Sequence, residues 1–308
     1  MHDIHLAIKL RRLSDVHKAM SDDLSLDVNQ SLFGATALSL SLYYNCDEAF
    51  NLLLDRHRRT AALDLDLLSC DPQKRVEPAL VTAVRLGNEA AVCRLLECGA
   101  GMEAVDGFGH TALWTAARER QFSIAVHLLC HGATVRPTSR AASLPVFAAS
   151  RVTSRRTDLT QLLLLAGADD VNDDRQSLLE RMLAPRRYTV IRLLLAACRV
   201  SLHHRISCLL RQGSHVTHDQ ATDWLLHRQF TQPRSLQTHC RWTIRRVVSR
   251  AVKGRHFLRA LSRLPLPRPL RDYLALMDVV SSCEFTDADS PDWAQLLHSI
   301  INSAQALS

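Results

Sequence analysis

Two short signatures toward the C-terminal end carry the side chains best suited to molecular recognition. In the first, Ser235 and Leu236 are followed by Cys240 and Ile244. Leucine, cysteine and isoleucine at i, i+4 and i+8 share one stripe of a helix, so a single face presents an apolar knob beside a small, polarisable thiol. The second runs Leu261, then Leu264, Pro265, Leu266 and Pro267, then Leu270, Tyr273 and Leu274. Proline fixes its own φ and pushes the preceding residue out of the α region, which predicts an extended Leu-Pro-Leu-Pro run. The spacing of Leu270, Tyr273 and Leu274 predicts a short helix after it. A helical stripe, a proline strut and a second apolar stripe make a docking surface and contain no catalytic group.

The residues that do carry chemistry elsewhere are not arranged for it. The fifteen histidines are scattered and the nine cysteines contain no C-x-x-C pair. No G-x-S-x-G, no P-loop glycine run and no metal-spaced His/Cys set is present, which argues against hydrolases, nucleotide enzymes and metalloproteins. His2 and His5 stand at helical spacing but at a fraying chain end, and His203-His204 precede a helical segment whose solvated start they are expected to form. Neither cofactor nor metal is expected. Cys93 and Cys198, in leucine-rich helical contexts, read as reduced, buried thiols of a cytosolic or nuclear protein.

The two signatures resemble a SOCS box, the short module that recruits a ubiquitin ligase. Its elongin-binding motif, Ser/Thr/Pro-Leu-x-x-x-Cys-x-x-x-apolar, is filled by Ser235, Leu236, Cys240 and Ile244. Its cullin-5 motif is filled at every place by Leu261, Leu264, Pro265, Leu266, Pro267, Leu270, Tyr273 and Leu274. A single Leu-x-x-x-Cys would read as ordinary core; two ordered motifs at the family's separation do not.

What positions such a module is a repeat array. The clearest unit runs Asp106-Gly107-Phe108-Gly109-His110-Thr111-Ala112-Leu113-Trp114-Thr115-Ala116-Ala117, continues through Leu128-Leu129 and ends at Gly132-Ala133. It resembles an ankyrin repeat, whose T-P-L-H-x-A start becomes Thr111 to Ala116. The same register recurs upstream at Pro78-Ala79-Leu80, Leu95-Leu96 and Gly99-Ala100, and downstream at Leu144-Pro145-Val146, Leu163-Leu164 and Gly167-Ala168. A weaker copy follows from Leu178 to Leu195, another unit starts at Gly34, and Leu6 to Asn29 looks like a degenerate N-terminal cap. The alanine steps let helices approach closely, the leucine pairs fill the layer between neighbours, and the glycine is the left-handed stop that turns the chain into the next finger. Between the units at Gly34 and Pro78 lies an insertion containing Leu63-Asp64-Leu65-Asp66-Leu67-Leu68, expected to project from the array.

The expected fold is therefore all-α, an ankyrin-repeat solenoid followed by a three-helix SOCS box. The expected divisions are 1–200 for about six repeats, 201–232 for a helical connector, 233–276 for the SOCS box and 277–308 for an acidic tail. In that tail Trp293, Leu296, Leu297, Ile300 and Ile301 predict an amphipathic helix, with Ser290 as its N-cap and Pro291 at its first position, folded back on the box.

The net charge of +7 on 308 residues is unevenly spread. Arg228 to Arg271 holds twelve Lys and Arg and no acid, Asp272 to Ser308 six acids and no base, and the rest is nearly balanced. The excess thus sits in the docking module, whose arginines are expected on the solvated face of its helix, and a nucleic-acid partner rests on charge alone. The start, MHDIHLAIKLRRL, carries charge through any signal core, and no apolar run approaches the ~20 residues that cross a bilayer, so neither secretion nor a membrane partner is expected.

Ankyrin repeats followed by a SOCS box resemble the ankyrin repeat and SOCS box protein family. The resemblance implies a non-catalytic substrate adaptor that binds elongin B, elongin C and a cullin-5/RING scaffold while its array captures a target for ubiquitination and degradation. An ankyrin scaffold without ligase activity is the alternative. For the target groove, Arg85, Arg118 and Arg151 recur every 33 residues after the first helix's alanines and would favour an acidic ligand, with Phe108 at a finger tip as an apolar anchor. A solvated, helix-favouring role for the arginines is equally compatible. Trp114 is expected to be wedged between repeats.

Overall fold

The computed structural model describes residues 2–22, 27–61, 63–136, 145–150, 157–168, 178, 188–198, 235–252, 255–282 and 292–303. The chain divides into two compact units, residues 1–128 with 137–143, and residues 129–136 with 144–308.

In the first unit antiparallel helix pairs alternate with β-hairpin fingers. The helices are α1 (His2–Lys9), α2 (Leu13–Asp22), α3 (Ala37–Tyr43), α4 (Asp47–Thr60), α5 (Ala79–Arg85), α6 (Glu89–Glu97), α7 (Ala112–Glu119) and α8 (Phe122–Cys130), which reaches the boundary. Two of the first helices, α3 and α7, start at a side-chain cap, whereas Pro78 before α5 provides none. Thr36 accepts from Ser39 N and Thr111 from Trp114 N, satisfying amides that the helix itself leaves open. Ala83, Ala116 and Ala117 are fully buried, which brings α3, α5 and α7 side by side, while Leu53, Leu54, Leu95 and Leu128 fill the layer behind them.

The fingers are β1 (Ser31–Leu32) with β2 (Ala35–Thr36), β3 (Ser69–Cys70) with β4 (Val76–Glu77), and a single bridge between Val105 and Thr111. Hydrogen bonds fasten each finger to the next: Cys70 N to Gly34 O at 2.7 Å, Thr36 N to Ser69 Oγ at 2.9 Å and Gly107 N to Val76 O at 2.8 Å. The insertion does not project. Leu63 and Leu65 are buried, while the Asp64 amide donates to Asn29 Oδ1 and the Gly101 amide donates to Asp66 Oδ1, both at 2.7 Å. Its alternation of leucine and aspartate puts the apolar side on the stack and uses the polar side to tie loops of neighbouring repeats together.

The second unit begins with repeat helices α9 (Pro145–Ser150), α10 (Asp158–Leu165) and α11 (Tyr188–Ala197). Leu162 to Leu165 and Ile191, Leu193 and Leu194 are inaccessible to solvent. Three further helices, α12 (Leu236–Ala251), α13 (Phe257–Ser262) and α14 (Arg268–Leu274), make the expected C-terminal trio, followed by α15 (Met277–Ser282) and α16 (Trp293–Ser303). The amphipathic tail helix packs on α13 with Trp293, Leu297 and Ile300 buried. At its described start Asp292 Oδ1 accepts the Gln295 amide at 3.1 Å. Ser290, Pro291 and the connector 201–232 lie outside the described residues. Among the described residues no helix is long and apolar enough to cross a membrane.

Candidate functional site

Helix α12 has two opposed faces. Ser235 is its N-cap, with φ −61° and ψ 147°, and its Oγ accepts the Thr238 amide at 3.2 Å, so the motif's serine is accounted for by starting the helix. At the first helical position Leu236 is 80% exposed, and one turn on Cys240 is exposed on the same stripe. Ile244 is half-buried, and Val247, 57% exposed, carries the stripe a turn further than the sequence motif reaches. Among the described residues, Leu236 is a large apolar side chain left bare at a well-formed helix start.

The opposite face is arginine-rich, but it is not solvated. Arg241, Trp242, Arg245 and Ser249 are all buried. The Arg245 guanidinium donates to Leu164 O at 3.0 Å and to Leu274 O at 2.6 Å and lies 4.8 Å from the Phe257 ring centre. Leu164 belongs to the last turn of α10, where its carbonyl also accepts the Gly167 amide at 3.2 Å, and Leu274 to that of α14, where carbonyls lack an i+4 donor; at both ends the helix dipole is negative. Trp242 Nε1 similarly donates to Leu195 O near the end of α11, at 3.2 Å. Arg241 pairs with Asp278 at 2.6 Å and covers the Tyr273 ring at 3.3 Å. Arg245 and Trp242 thus bolt the helix to the repeat ends and Arg241 ties it to Tyr273 and Asp278 beyond the proline turn, leaving the Leu236 stripe facing out.

The glycine stops of the repeats serve the same junction. Gly167, at φ +98°, lets Phe257 approach so closely that a Cβ there would sit 2.8 Å from its ring, and Gly132, at φ +96°, does the same for His256. Burial, followed by the charges of Arg259, Arg255 and Arg263, pushes the His256 pKa down.

The proline signature sorts into inside and outside. Leu261 and Leu274 are buried, Leu264, Leu266 and Tyr273 are half-buried, and Pro265, Pro267 and Leu270 are exposed. The run is not extended throughout. It bends at 264–266, where Leu266 N donates to Leu264 O at 2.7 Å, and only Pro267, with φ −54° and ψ 147°, is stretched ahead of the helix that does follow.

On the array, Arg85 is committed elsewhere. Its guanidinium is 12% exposed and donates to Asp71 at 2.9 Å and to Glu77 Oε1 at 2.8 Å. Burial presses its pKa down, and the hydrogen bond and charge of Glu77 with the charge of Asp71 more than reverse this. The arginine expected to face a ligand instead ties the second finger to α5. Arg118 is exposed, 5.5 Å from the Trp114 ring centre. Trp114 itself is buried and stacked on His110 of its own repeat at 3.4 Å. Arg151 lies outside the described residues. Phe108 is 76% exposed, and Phe33, which sequence reasoning passed over, is 95% exposed. The signal for Phe33 was the shared register: Phe33-Gly34 precedes Thr36 as Phe108-Gly109 precedes Thr111.

Residues 232–275 match the family model of the SOCS box. The segment spans α12 to α14, so the outward stripe and the proline turn fall within one recognised module. A search of curated proteins found no match. Among solved structures, the chain is similar to the ankyrin repeat domain of Bcl-3, described as a unique member of the IkappaB protein family. The identity is 25%, the TM-score 0.42, and the alignment covers 51% of this chain and 65% of that one, just under two thirds of its length. A SOCS box implies an adaptor role in an elongin–cullin ubiquitin ligase. Within the SOCS-box segment, Leu236, Cys240, Pro265, Pro267 and Leu270 are the motif side chains open to a partner, whereas Leu261 and Leu274 build the module's own core.

Proposed function

We propose that the chain is a non-catalytic substrate-recognition adaptor of a cullin-5/RING ubiquitin ligase. Elongin C, with elongin B, takes the Leu236, Cys240 and Ile244 face of α12; cullin-5 takes the turn from Leu264 to Leu270; the repeat array holds the target. The observation that carries this reading is the exposed Leu236–Cys240 stripe on a SOCS-box helix whose other face is fastened down. The adaptor contributes proximity: it turns a diffusive encounter between a target lysine and a charged carrier enzyme into an intramolecular one, with no cysteine of its own carrying ubiquitin. The cytoplasm, or the nucleus as well, is the proposed site of action.

Replacing Leu264, Pro265 and Pro267 together by alanine removes the turn and its apolar edge while sparing the buried Leu261 and Leu274. Cullin-5 is then expected to disappear from pull-downs of the full-length chain, with elongin B and elongin C retained. Equal loss of all three partners would show one cooperative surface instead of two. Native chain that captures neither elongins nor cullin-5 would leave the ankyrin scaffold reading in place.

A further inference from the structure

The first finger closes with a two-residue turn, Phe33 at φ +54° and Gly34 at φ +82°, between Leu32 and Ala35, which pair across it. Two successive left-handed residues are the demand of a tight hairpin turn that Asn-Gly meets without strain, and a bulky phenylalanine meets it only against steric resistance. The strained side chain is nonetheless 95% exposed, so packing gives it no compensation. The third finger, closed by a longer turn and without the left-handed phenylalanine, also presents an aromatic side chain before a glycine: Phe108, 76% exposed, ahead of Gly109 at φ +82°.

The finger between them carries charge in place of an aromatic ring. Lys74 and Arg75 are exposed at its tip, Lys74 with φ +63°. The carboxylates nearby are turned inward and engaged: Asp71 by the Arg85 guanidinium and the Arg75 amide, Glu77 by Arg85 and Thr82, and Asp106 by the amides of Phe108 and His110. The hydrogen bonds from Cys70 N to Gly34 O and from Gly107 N to Val76 O hold the three tips in order.

We propose that these tips are the target-docking element of the array, accepting an extended segment with one acidic side chain flanked on both sides by apolar ones. Phe33 and Phe108 take the apolar anchors, and Lys74 with Arg75 takes the carboxylate. Helix layers stack at about 8–10 Å and extended chain advances about 3.3 Å per residue, so tips two layers apart match anchors about five or six residues apart. The proposal deepens the reading of the array as the target-binding half and is independent of whether the ligase assembles.

The test is selection of a phage-displayed library of random peptides, long enough to span both tips, against the full-length chain, followed by affinity measurements on the enriched peptides. Enrichment of an apolar, acidic, apolar pattern at that spacing is expected. Phe33→Asn and Phe108→Ser should each weaken the enriched peptides by about tenfold, and K74E/R75E by at least as much, with the loss growing at low salt. Phe33→Asn should at the same time raise the melting temperature by roughly 1–3 °C, because asparagine tolerates the left-handed turn, a change that a merely structural phenylalanine would not show. Enrichment without the pattern, no enrichment at all, or enriched peptides that bind the doubly substituted F33N/F108S chain as tightly as the parent would overturn the proposal.

Discussion

Arg85→Glu is expected to destabilise the first unit by about 3–5 kcal/mol, the loss that follows when a buried ionic group is left without its partner. The substitution does more than remove a cation. It sets a third carboxylate beside Asp71 and Glu77, both of which have almost no access to water and depend on the guanidinium for neutralisation. Asp71 also holds the turn of the second finger through the Arg75 amide at 2.8 Å, so the hairpin should loosen together with α5. Thermal unfolding followed by circular dichroism should show a drop of roughly 10 °C, whereas Arg118→Glu, at a mostly exposed position, should stay near the parent. Matching melting curves for the two variants would return Arg85 to the ligand-facing groove.

The second large effect is expected at the opposite end of the chain. Arg245→Met keeps an unbranched, apolar side chain of similar length but takes the guanidinium donor from the Leu274 carbonyl and one of the donors from that of Leu164, which keeps the Gly167 amide at 3.2 Å. An unsatisfied buried carbonyl costs about 1–3 kcal/mol and a lost hydrogen bond about 1 kcal/mol, so the junction of α10, α12 and α14 should weaken by about 2–3 kcal/mol. Hydrogen exchange should speed up through α12 and α13, and Arg246→Met on the exposed side of the same helix should leave exchange unchanged. Unaltered protection in the Arg245 variant would mean that apolar packing around Phe257 and Trp242 holds the module by itself.

These two arginines mark the boundary of what the sequence made legible. The features that rest on neighbours in the chain were readable: Gly132 and Gly167 as stops, Leu236 and Cys240 on one stripe, the tail helix through Trp293 and Ile300. The inward turn of Arg241 and Arg245 was not, because an amphipathic pattern assigns arginine to water. Its reversal depends on carbonyl ends that arrive from helices far away in sequence. For Arg85, the 33-residue register gave the correct helix position, but the carboxylates that capture it come from a finger enlarged by the insertion. That insertion's Leu-Asp alternation carried a period-two signal for a segment lying flat, which its length obscured. Within the cullin motif, a pattern of apolar residues cannot separate those that build the module, Leu261 and Leu274, from those that face outward, Pro267 and Leu270.

The central claim is that the outward stripe of α12 is an elongin-docking face, and titration calorimetry of the elongin B–elongin C pair into the purified full-length chain tests it most directly. Saturable binding is predicted. Leu236→Ala removes about 2 kcal/mol of side-chain burial from the interface and should weaken that binding by about 30-fold, with the melting temperature of the free chain unchanged, since Leu236 touches solvent before elongin arrives. Equal affinity for the parent and for the L236A/C240F chain, or no heat of binding with either, would contradict the account.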